Sequence, residues 1–193
     1  MDGINGITGG YSLVVLGSLL YINNYLISFI SNDFLVSIIL AVLVFNFFNF
    51  RKKAKCFAGD VGSVSIAFII VFMLTRLIIA TNDLSYIILL VVYGVDSVCT
   101  IIHRLILKEN IFQAHRKHLY QIMSNELKIP HVIVSTLYMI AQGVISFSFI
   151  LLPSLIQSSN LTYNYLFLLL CILVLTLFYI LFMKKYFRLH LSK

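Results

Sequence analysis

The chain has 193 residues, of which 61% are hydrophobic and only 11% are charged. Its mean hydropathy of +1.01 is far above that of ordinary soluble domains, so the composition excludes a water-soluble globular protein. The net charge of +7 indicates membrane topology and attraction to anionic lipid head groups, and we expect no nucleic-acid partner.

Six long apolar runs predict six membrane-spanning helices. Each run is close to the ~20 residues that a helix needs to cross ~30 Å of hydrocarbon. The runs are continuous rather than alternating in polarity, which favours helices over a closed β-barrel. The predicted fold class is an all-α, polytopic membrane helix bundle that forms one transmembrane domain over residues 1–193. The predicted spans cover residues 11–30, 34–50, 62–82, 84–107, 132–153 and 163–183.

Basic residues mark one side of the predicted bundle. Thirteen of the 14 Lys and Arg lie at or beyond the ends of spans two, four and six, and the opposite gaps contain none. The positive-inside rule therefore predicts that this side is cytoplasmic, and an even number of spans places both chain termini there. Three polar motifs fall on the same side.

The first motif is MDGINGITGG at residues 1–10, which combines four glycines with Asp2 and Asn5 just before a span. A glycine-rich turn into a helix lets the backbone approach a nucleotide closely, and Asp2 and Asn5 offer hydrogen-bonding groups. A flexible terminal tail would have the same composition, so both interpretations stand on this motif alone.

The second motif is AGDVGS at residues 58–63, at the predicted start of span three. The start of a helix offers backbone N–H groups to phosphate oxygens, and Asp60 can hold a divalent cation that bridges those oxygens. The alternative is that Asp60 and Ser63 only cap the helix. The local spacing favours neither interpretation.

Span four contains a second carboxylate candidate, Asp96. Thr100 and Arg104 follow at intervals of four residues, so the three side chains share one helix face that leads to the basic side. A carboxylate within a membrane span suggests a functional role, and a buried hydrogen bond between helices is the alternative.

The third motif is AHRKHLYQ at residues 114–121. On a helix, His115 and His118 would share a face, with Arg116 and Lys117 beside it, and this set can bind a diphosphate through charge-assisted hydrogen bonds. Histidines also serve in proton transfer near neutral pH. An amphipathic helix at the membrane surface is the alternative.

The three motifs together resemble those of a known family. MDGINGITG is similar to the Asp-Gly-x-Asn/Asp-Gly segment, AGDVGS to the Gly-Asp-x-Gly-Ser loop, and HRLILKENIFQAHRKHLYQ to the Arg/His loop of the polyprenyl-phosphate N-acetylhexosamine-1-phosphate transferases. These enzymes are the MraY- and WecA-like glycosyltransferases of family 4. The order and spacing of the motifs agree over nearly the whole chain.

The resemblance implies a phosphoryl transfer at the cytoplasmic face of the bacterial inner (plasma) membrane. In this family undecaprenyl phosphate, or another polyprenyl phosphate, attacks the β-phosphate of a UDP-linked N-acetylhexosamine such as UDP-N-acetylglucosamine. UMP leaves, and the lipid-linked sugar begins the synthesis of a surface glycan. The implied cofactor is Mg²⁺, with Mn²⁺ as an alternative. The implied partners are the UDP-sugar, the polyprenyl phosphate and membrane lipids, and a homo-oligomer is left open.

The same resemblance implies a role for individual residues of the motifs. Asp60 is expected to bind the metal, the first motif to contact the nucleotide, and the third motif to bind the diphosphate. The implied catalytic residues are Asp2, Asp60 and His118, and the implied substrate-binding residues are Gly3, Asn5, His115, Arg116 and Lys117.

The sequence also departs from the family pattern. Relatives generally carry an adjacent aspartate pair and further spans before the first motif, and this sequence has neither. We therefore expect a C-terminal part of a longer transferase that is inactive, or nearly so, on its own. A non-catalytic membrane subunit or an inactive fragment is the alternative function. Asn5 and Tyr120 stand where many relatives have Asp and His, as in a branch linked to surface-polysaccharide assembly.

Two other classes of membrane protein fit the sequence less well. A transporter would keep polar groups near the bilayer midplane, and only Asp96 has that position. A haem-binding electron carrier would place histidines within the spans, whereas all five histidines fall at the basic edges of the spans.

Overall fold

The computed structural model describes residues 3–113, 116–155 and 161–191. In these residues all regular structure is helical, as the apolar runs predict, so the all-α fold class is confirmed. The described residues form seven α-helices and one 3₁₀ helix. They are α1 (Ile7–Tyr25), α2 (Asn32–Asn49), α3 (Gly59–Thr81), the 3₁₀ helix (Leu84–Leu90), α4 (Val91–Ile106), α5 (Leu119–Asn125), α6 (His131–Leu155) and α7 (Leu161–Leu191).

Five of the six predicted spans are long and apolar enough to cross a membrane. They are Asn32–Asn49, Gly59–Thr81, Leu84–Ile106, His131–Leu151 and Leu161–Phe187. The remaining helix, α1, is long enough but is not one of the five, because glycine, serine and asparagine dilute its apolar residues. The fold is that of a polytopic helical membrane protein.

The least apolar long helix lies at the centre of the bundle. α1 packs chiefly against α6 and α2, and most residues of its first three turns are buried. It begins at Ile7, four residues before the predicted span, so Gly9 and Gly10 lie inside the helix. A Cβ atom at Gly9 would lie 2.3 Å from Asn46 Oδ1, and one at Gly10 would lie 2.5 Å from Met139 Sδ. These two glycines therefore allow close helix packing.

Glycine is favoured at position 6, just before α1, by the backbone conformation and by the lack of space for a side chain. Its φ is +85°, and a Cβ atom there would lie 2.3 Å from Phe50 Cδ2. We expect Gly6→Ala to lower the free energy of unfolding by about 1–3 kcal/mol, because strain and overpacking add. Denaturation of the purified protein in detergent micelles measures this change.

Gly17 provides the matched control for that substitution. It lies on the same helix, and a Cβ atom there would meet no atom within 4 Å. Gly17→Ala should leave the stability unchanged or raise it slightly, because alanine is the better helix former. Equal effects of the two substitutions would contradict the packing role of Gly6.

The fourth span is not one continuous α-helix. It begins as the 3₁₀ helix and continues as α4, and the change of helix type leaves backbone groups to be satisfied by other partners. Gln142 of α6, which is fully buried, accepts a hydrogen bond from the Val92 N–H at 3.2 Å and donates one to the Ile88 carbonyl at 3.0 Å. Its side chain also accepts a 2.6 Å bond from Tyr11 Oη and donates to Ser146.

The two ends of the bundle differ in their polar contacts. At one end Asn23 accepts hydrogen bonds from the turn before α2, and Asn164 donates to Asp83 at 2.9 Å. The other end of the bundle contains the three motifs. It is formed by the starts of α1, α3 and α6 and by the ends of α2 and α4. We call it the motif end.

Candidate functional site

Asn5 of the first motif joins three parts of the motif end. Its Nδ2 donates to the Arg51 carbonyl oxygen at 3.0 Å, and its backbone N–H donates to His131 Nδ1 at 3.3 Å. Ser135 Oγ donates to the Asn5 carbonyl oxygen at 2.8 Å. These bonds hold the first motif between the loop after α2 and the start of α6. The Nδ2 group of Asn5 is thus engaged by the loop after α2.

Gly3 brings the first motif against the third. Its φ is +120°, and a Cβ atom there would lie 2.8 Å from Gln121 Nε2 of α5. The positive φ favours glycine at this position, and an added Cβ atom would displace the end of the Gln121 side chain. Gly3 of the first motif therefore lies close to Gln121 of the third motif. Asp2, predicted to be catalytic, lies outside the described residues.

Asn49 is a site residue that the sequence analysis missed. Its Oδ1 accepts a hydrogen bond from the Gly6 N–H at 2.7 Å, and its Nδ2 donates to the Cys56 carbonyl at 2.7 Å. It therefore ties the first motif to the loop that leads into the second. An asparagine at the end of an apolar run gives no sign of these partners in sequence, because both are backbone groups of other segments.

Asp60 lies in the first turn of α3 with an exposed side chain. The N-cap residue is Ala58, no side chain caps this helix, and Ser63 Oγ donates to the backbone carbonyl of Asp60 at 3.2 Å. The interpretation of Asp60 and Ser63 as a helix cap is therefore wrong. Its carboxylate faces outward at a helix N-terminus, where the helix dipole favours negatively charged groups and phosphate oxygens.

A cavity of about 270 Å³ separates the first motif from the second. Among the residues that line it are Thr8, Gly9 and Ser12 of α1 and Ala58 and Gly62 around the start of α3. The Ser12 hydroxyl is buried and makes no hydrogen bond within the described part of the chain. The cavity thus lies between α1 and the start of α3, and Asp60 is not among the residues that line it.

The described residues do not form a complete metal site of protein ligands. No group of three His, Cys, Asp or Glu side chains that could bind a metal ion occurs among them. Mg²⁺ commonly binds through one or two carboxylates together with substrate phosphates. Asp60 therefore fits a divalent cation that arrives with a diphosphate, and it does not fit an all-protein metal site.

Residues 107–118, which we call the basic segment, connect α4 to α5. The predicted helix over AHRKHLYQ is shorter than expected, because α5 begins only at Leu119 and Arg116 and Lys117 precede it in irregular backbone. Arg116 is exposed, and His115 lies outside the described residues. Lys117 forms an ion pair with Glu109, and the hydrogen bond from Lys117 is the largest cause of a lowered pKa of Glu109.

His118 is the N-cap residue of α5 and is held by aromatic rings and a carboxylate. Its ring stacks on Tyr120 with centroids 5.3 Å apart and lies 6.3 Å from the ring of Tyr93. Its Nδ1 lies 3.8 Å from Asp96 Oδ1, and Gln121 Oε1 accepts a hydrogen bond from its backbone N–H at 3.3 Å. The imidazole is therefore held beside the carboxylate of Asp96.

Asp96 itself is buried in α4. Its Oδ2 accepts a 2.8 Å hydrogen bond from Tyr138 Oη of α6, so the predicted bond between helices is present. The shared face of Asp96, Thr100 and Arg104 is also present, because all three side chains are buried. The carboxylate also bonds to the start of α5, which a purely helix-packing role would not require.

Comparison with known families supplies an independent observation. The model of glycosyl transferase family 4 matches residues 1–78, which contain the first and second motifs. Comparisons with curated proteins and with solved structures gave no significant match. The matched segment covers α1, α2 and most of α3, the elements that carry Asn5 and Asp60. Residues 1–78 are thus similar to glycosyl transferase family 4, the family that the motifs resemble.

Proposed function

We propose that this protein transfers an N-acetylhexosamine-1-phosphate from a UDP-sugar to undecaprenyl or another polyprenyl phosphate and releases UMP. The observation that carries the proposal is the position of the first motif, which lies between the loop that leads to the second motif and the start of α5 in the third. Asn5 bonds to the loop before the second motif, and Gly3 lies against Gln121 of the third. The family match to residues 1–78 supports the transferase class.

The proposed reaction exchanges one phosphorus–oxygen bond for another. An oxygen of the lipid phosphate attacks the β-phosphorus of the UDP-sugar, and the bond from that phosphorus to the bridging oxygen breaks, so that UMP leaves with this oxygen. Phosphoryl transfer chiefly needs alignment of the reacting groups and neutralisation of oxygen charge. Arg116, Lys117 and His118 are the cationic or protonatable groups proposed to contact the diphosphate.

Mg²⁺ is the proposed cofactor, with Mn²⁺ as an alternative, and Asp60 is its proposed protein ligand. When bound, the ion would neutralise charge on the diphosphate oxygens. Asn5, Gly3 and the cavity beside Ser12 are proposed to hold the nucleotide. We further propose that the motif end faces the cytoplasm of a bacterial inner membrane, since the basic residues lie on that side.

The direct test uses the whole purified chain in lipid nanodiscs. UMP release from UDP-N-acetylglucosamine, undecaprenyl phosphate and Mg²⁺ should exceed that of reactions lacking the lipid or the metal. Calorimetry should detect Mg²⁺-dependent binding of the UDP-sugar. Binding without turnover would favour the alternative, a membrane subunit or part of an enzyme that binds nucleotide sugar without transferring it. Absence of both would contradict the proposal.

His118 gives a more specific prediction for this reaction. We expect His118→Gln to lower the rate of UMP release by about 100-fold, since proton transfer or charge at this position acts on the diphosphate. The control is His103→Gln, because His103 packs against Phe187 with ring centroids 4.5 Å apart and lies in α4, outside residues 114–121. Equal rates for the two variants would exclude the role proposed for His118.

A further inference from the structure

One face of α4 buries three polar side chains that the proposed reaction does not use. Asp96, Thr100 and Arg104 follow one another at intervals of four residues, and their exposed fractions are 3%, 1% and 3%. Burying an aspartate and an arginine is costly unless both are fully hydrogen-bonded. The groups that form hydrogen bonds with Asp96 and Arg104 therefore indicate the role of this face of α4.

Arg104 bonds to the first half of the basic segment. Its guanidinium donates to the carbonyl oxygens of Asn110, of Ile111 at 3.2 Å and of Gln113 at 3.1 Å. Its Nε also pairs with Glu109 at 3.3 Å. Every one of these partners lies within residues 109–113, so the arginine fixes the path of the chain as it leaves α4. A planar group with five N–H donors suits several carbonyls at once.

Asp96 bonds to the opposite end of the same segment. Its Oδ1 accepts a hydrogen bond from the Leu119 N–H, the first residue of α5, at 2.9 Å. The same oxygen lies 3.8 Å from His118 Nδ1 and accepts from Thr100 at 3.2 Å. Tyr138 occupies the other carboxylate oxygen. The carboxylate therefore fixes where the basic segment ends and the direction in which α5 starts.

These two attachments determine how the third motif meets the first. The basic segment leaves α4 beside Arg104 and returns to the same helix face at Asp96, two turns earlier in α4. From there α5 carries Gln121 to Gly3. If either attachment were lost, His118 and Gln121 would no longer have a fixed position relative to the first motif, although both side chains would still be present.

We propose that Asp96 and Arg104 are positioning residues, which hold the two ends of the basic segment on α4 so that the third motif stays aligned with the first. The inference rests on the proposed transferase function for its effect on rate. The attachment of the basic segment to α4 involves only residues of this chain, so it can be measured without any substrate. The two parts can therefore fail separately.

The attachment is tested by limited digestion of the whole protein with trypsin in nanodiscs. Trypsin cleaves after exposed Arg and Lys, and Arg116 lies in the basic segment. Arg104→Gln should raise the rate of cleavage after Arg116 by about tenfold, because local opening of a segment controls proteolysis when cleavage is slow. Arg76→Gln is the control, since Arg76 is exposed in α3, away from the segment.

Two further variants keep this test informative. Arg104→Lys retains the charge but cannot donate to three carbonyls in fixed geometry, so cleavage should still rise. Asp96→Asn retains an oxygen acceptor for the Leu119 N–H and should be cleaved more slowly than Asp96→Leu, which retains none. Circular dichroism must show the same helix content in each variant. Unchanged cleavage in Arg104→Gln, with the helices intact, would overturn the proposal.

The effect on the reaction is measured on the same samples. In Arg104→Gln we expect kcat to fall by about tenfold or more, while KM for the UDP-sugar changes by less than about threefold, since the first two motifs are unaltered. The stoichiometry of UDP-sugar binding should stay at the wild-type value, which excludes a smaller folded fraction as the cause. Wild-type kcat in a variant with faster cleavage would overturn the positioning role. Faster cleavage in a protein whose wild type shows neither turnover nor binding would instead disprove the proposed function and leave the attachment standing.

Discussion

Replacing Gln142 by leucine is expected to lower the free energy of unfolding by about 2–4 kcal/mol. Leucine has a similar size but removes the hydrogen bonds that Gln142 makes with the Tyr11 hydroxyl, the Ile88 carbonyl and the Val92 N–H. No water is available inside a bilayer to replace these bonds. Titration with a denaturing detergent, followed by circular dichroism, measures the change.

Ser146→Ala is the matched control for Gln142→Leu. Ser146 lies one turn along α6 and shares only one hydrogen bond with Gln142, at 2.9 Å. Its loss should cost about 0.5–1 kcal/mol, because Gln142 keeps its other three bonds. Similar effects of the two substitutions would show that the junction between the 3₁₀ helix and α4 does not depend on Gln142.

Asp60→Asn should have the largest effect on the proposed reaction. Asparagine has the same shape but no charge, so it binds a divalent cation far more weakly than a carboxylate does. We expect UMP release to fall by about 10³-fold, which corresponds to the several kcal/mol that metal-assisted charge neutralisation supplies. Mg²⁺-dependent binding of the UDP-sugar should be lost in the same variant.

Asp33→Asn separates this effect from a general loss of helix stability. Asp33 also lies exposed in the first turn of a helix, α2, at the opposite end of the bundle. Both substitutions remove a favourable interaction with a helix dipole, worth about 0.3–1 kcal/mol. Only Asp60→Asn should affect turnover and binding. Wild-type turnover in Asp60→Asn would disprove the role assigned to this carboxylate.

The membrane helices were predictable because their signal is continuous and local. A run of apolar residues such as 62–82 needs no knowledge of its neighbours, and the helix α3 spans nearly the same residues. The start of α1 was not predictable in the same way. Gly9 and Gly10 are typical of a turn, and only the close approach of Asn46 and Met139 explains why they lie inside a helix.

The candidate site also has a part that could be predicted from the sequence and a part that could not. The three motifs and their common end of the bundle could be predicted, because polar residues are conspicuous between apolar runs. The residues that hold them in place could not. Asn49, Gln121 and Gln142 act through backbone groups or side chains far away in sequence, and such partners are determined only by packing. Asp96 was visible as a carboxylate in a span, but its bond to Leu119 was not.

The central position of α1 also has a consequence for the order in which the protein is assembled. α6 supplies His131 and Ser135, which hold Asn5, and it is a main packing partner of α1. During synthesis α1 enters the membrane before α2, α3, α4 and α5 have been made, and therefore long before α6 exists. Until then its glycines, serines and asparagines lack their final neighbours. The motif end of the bundle is thus completed only after α6 has been made, and a nascent chain that stops earlier contains the first two motifs without the α6 residues that hold Asn5.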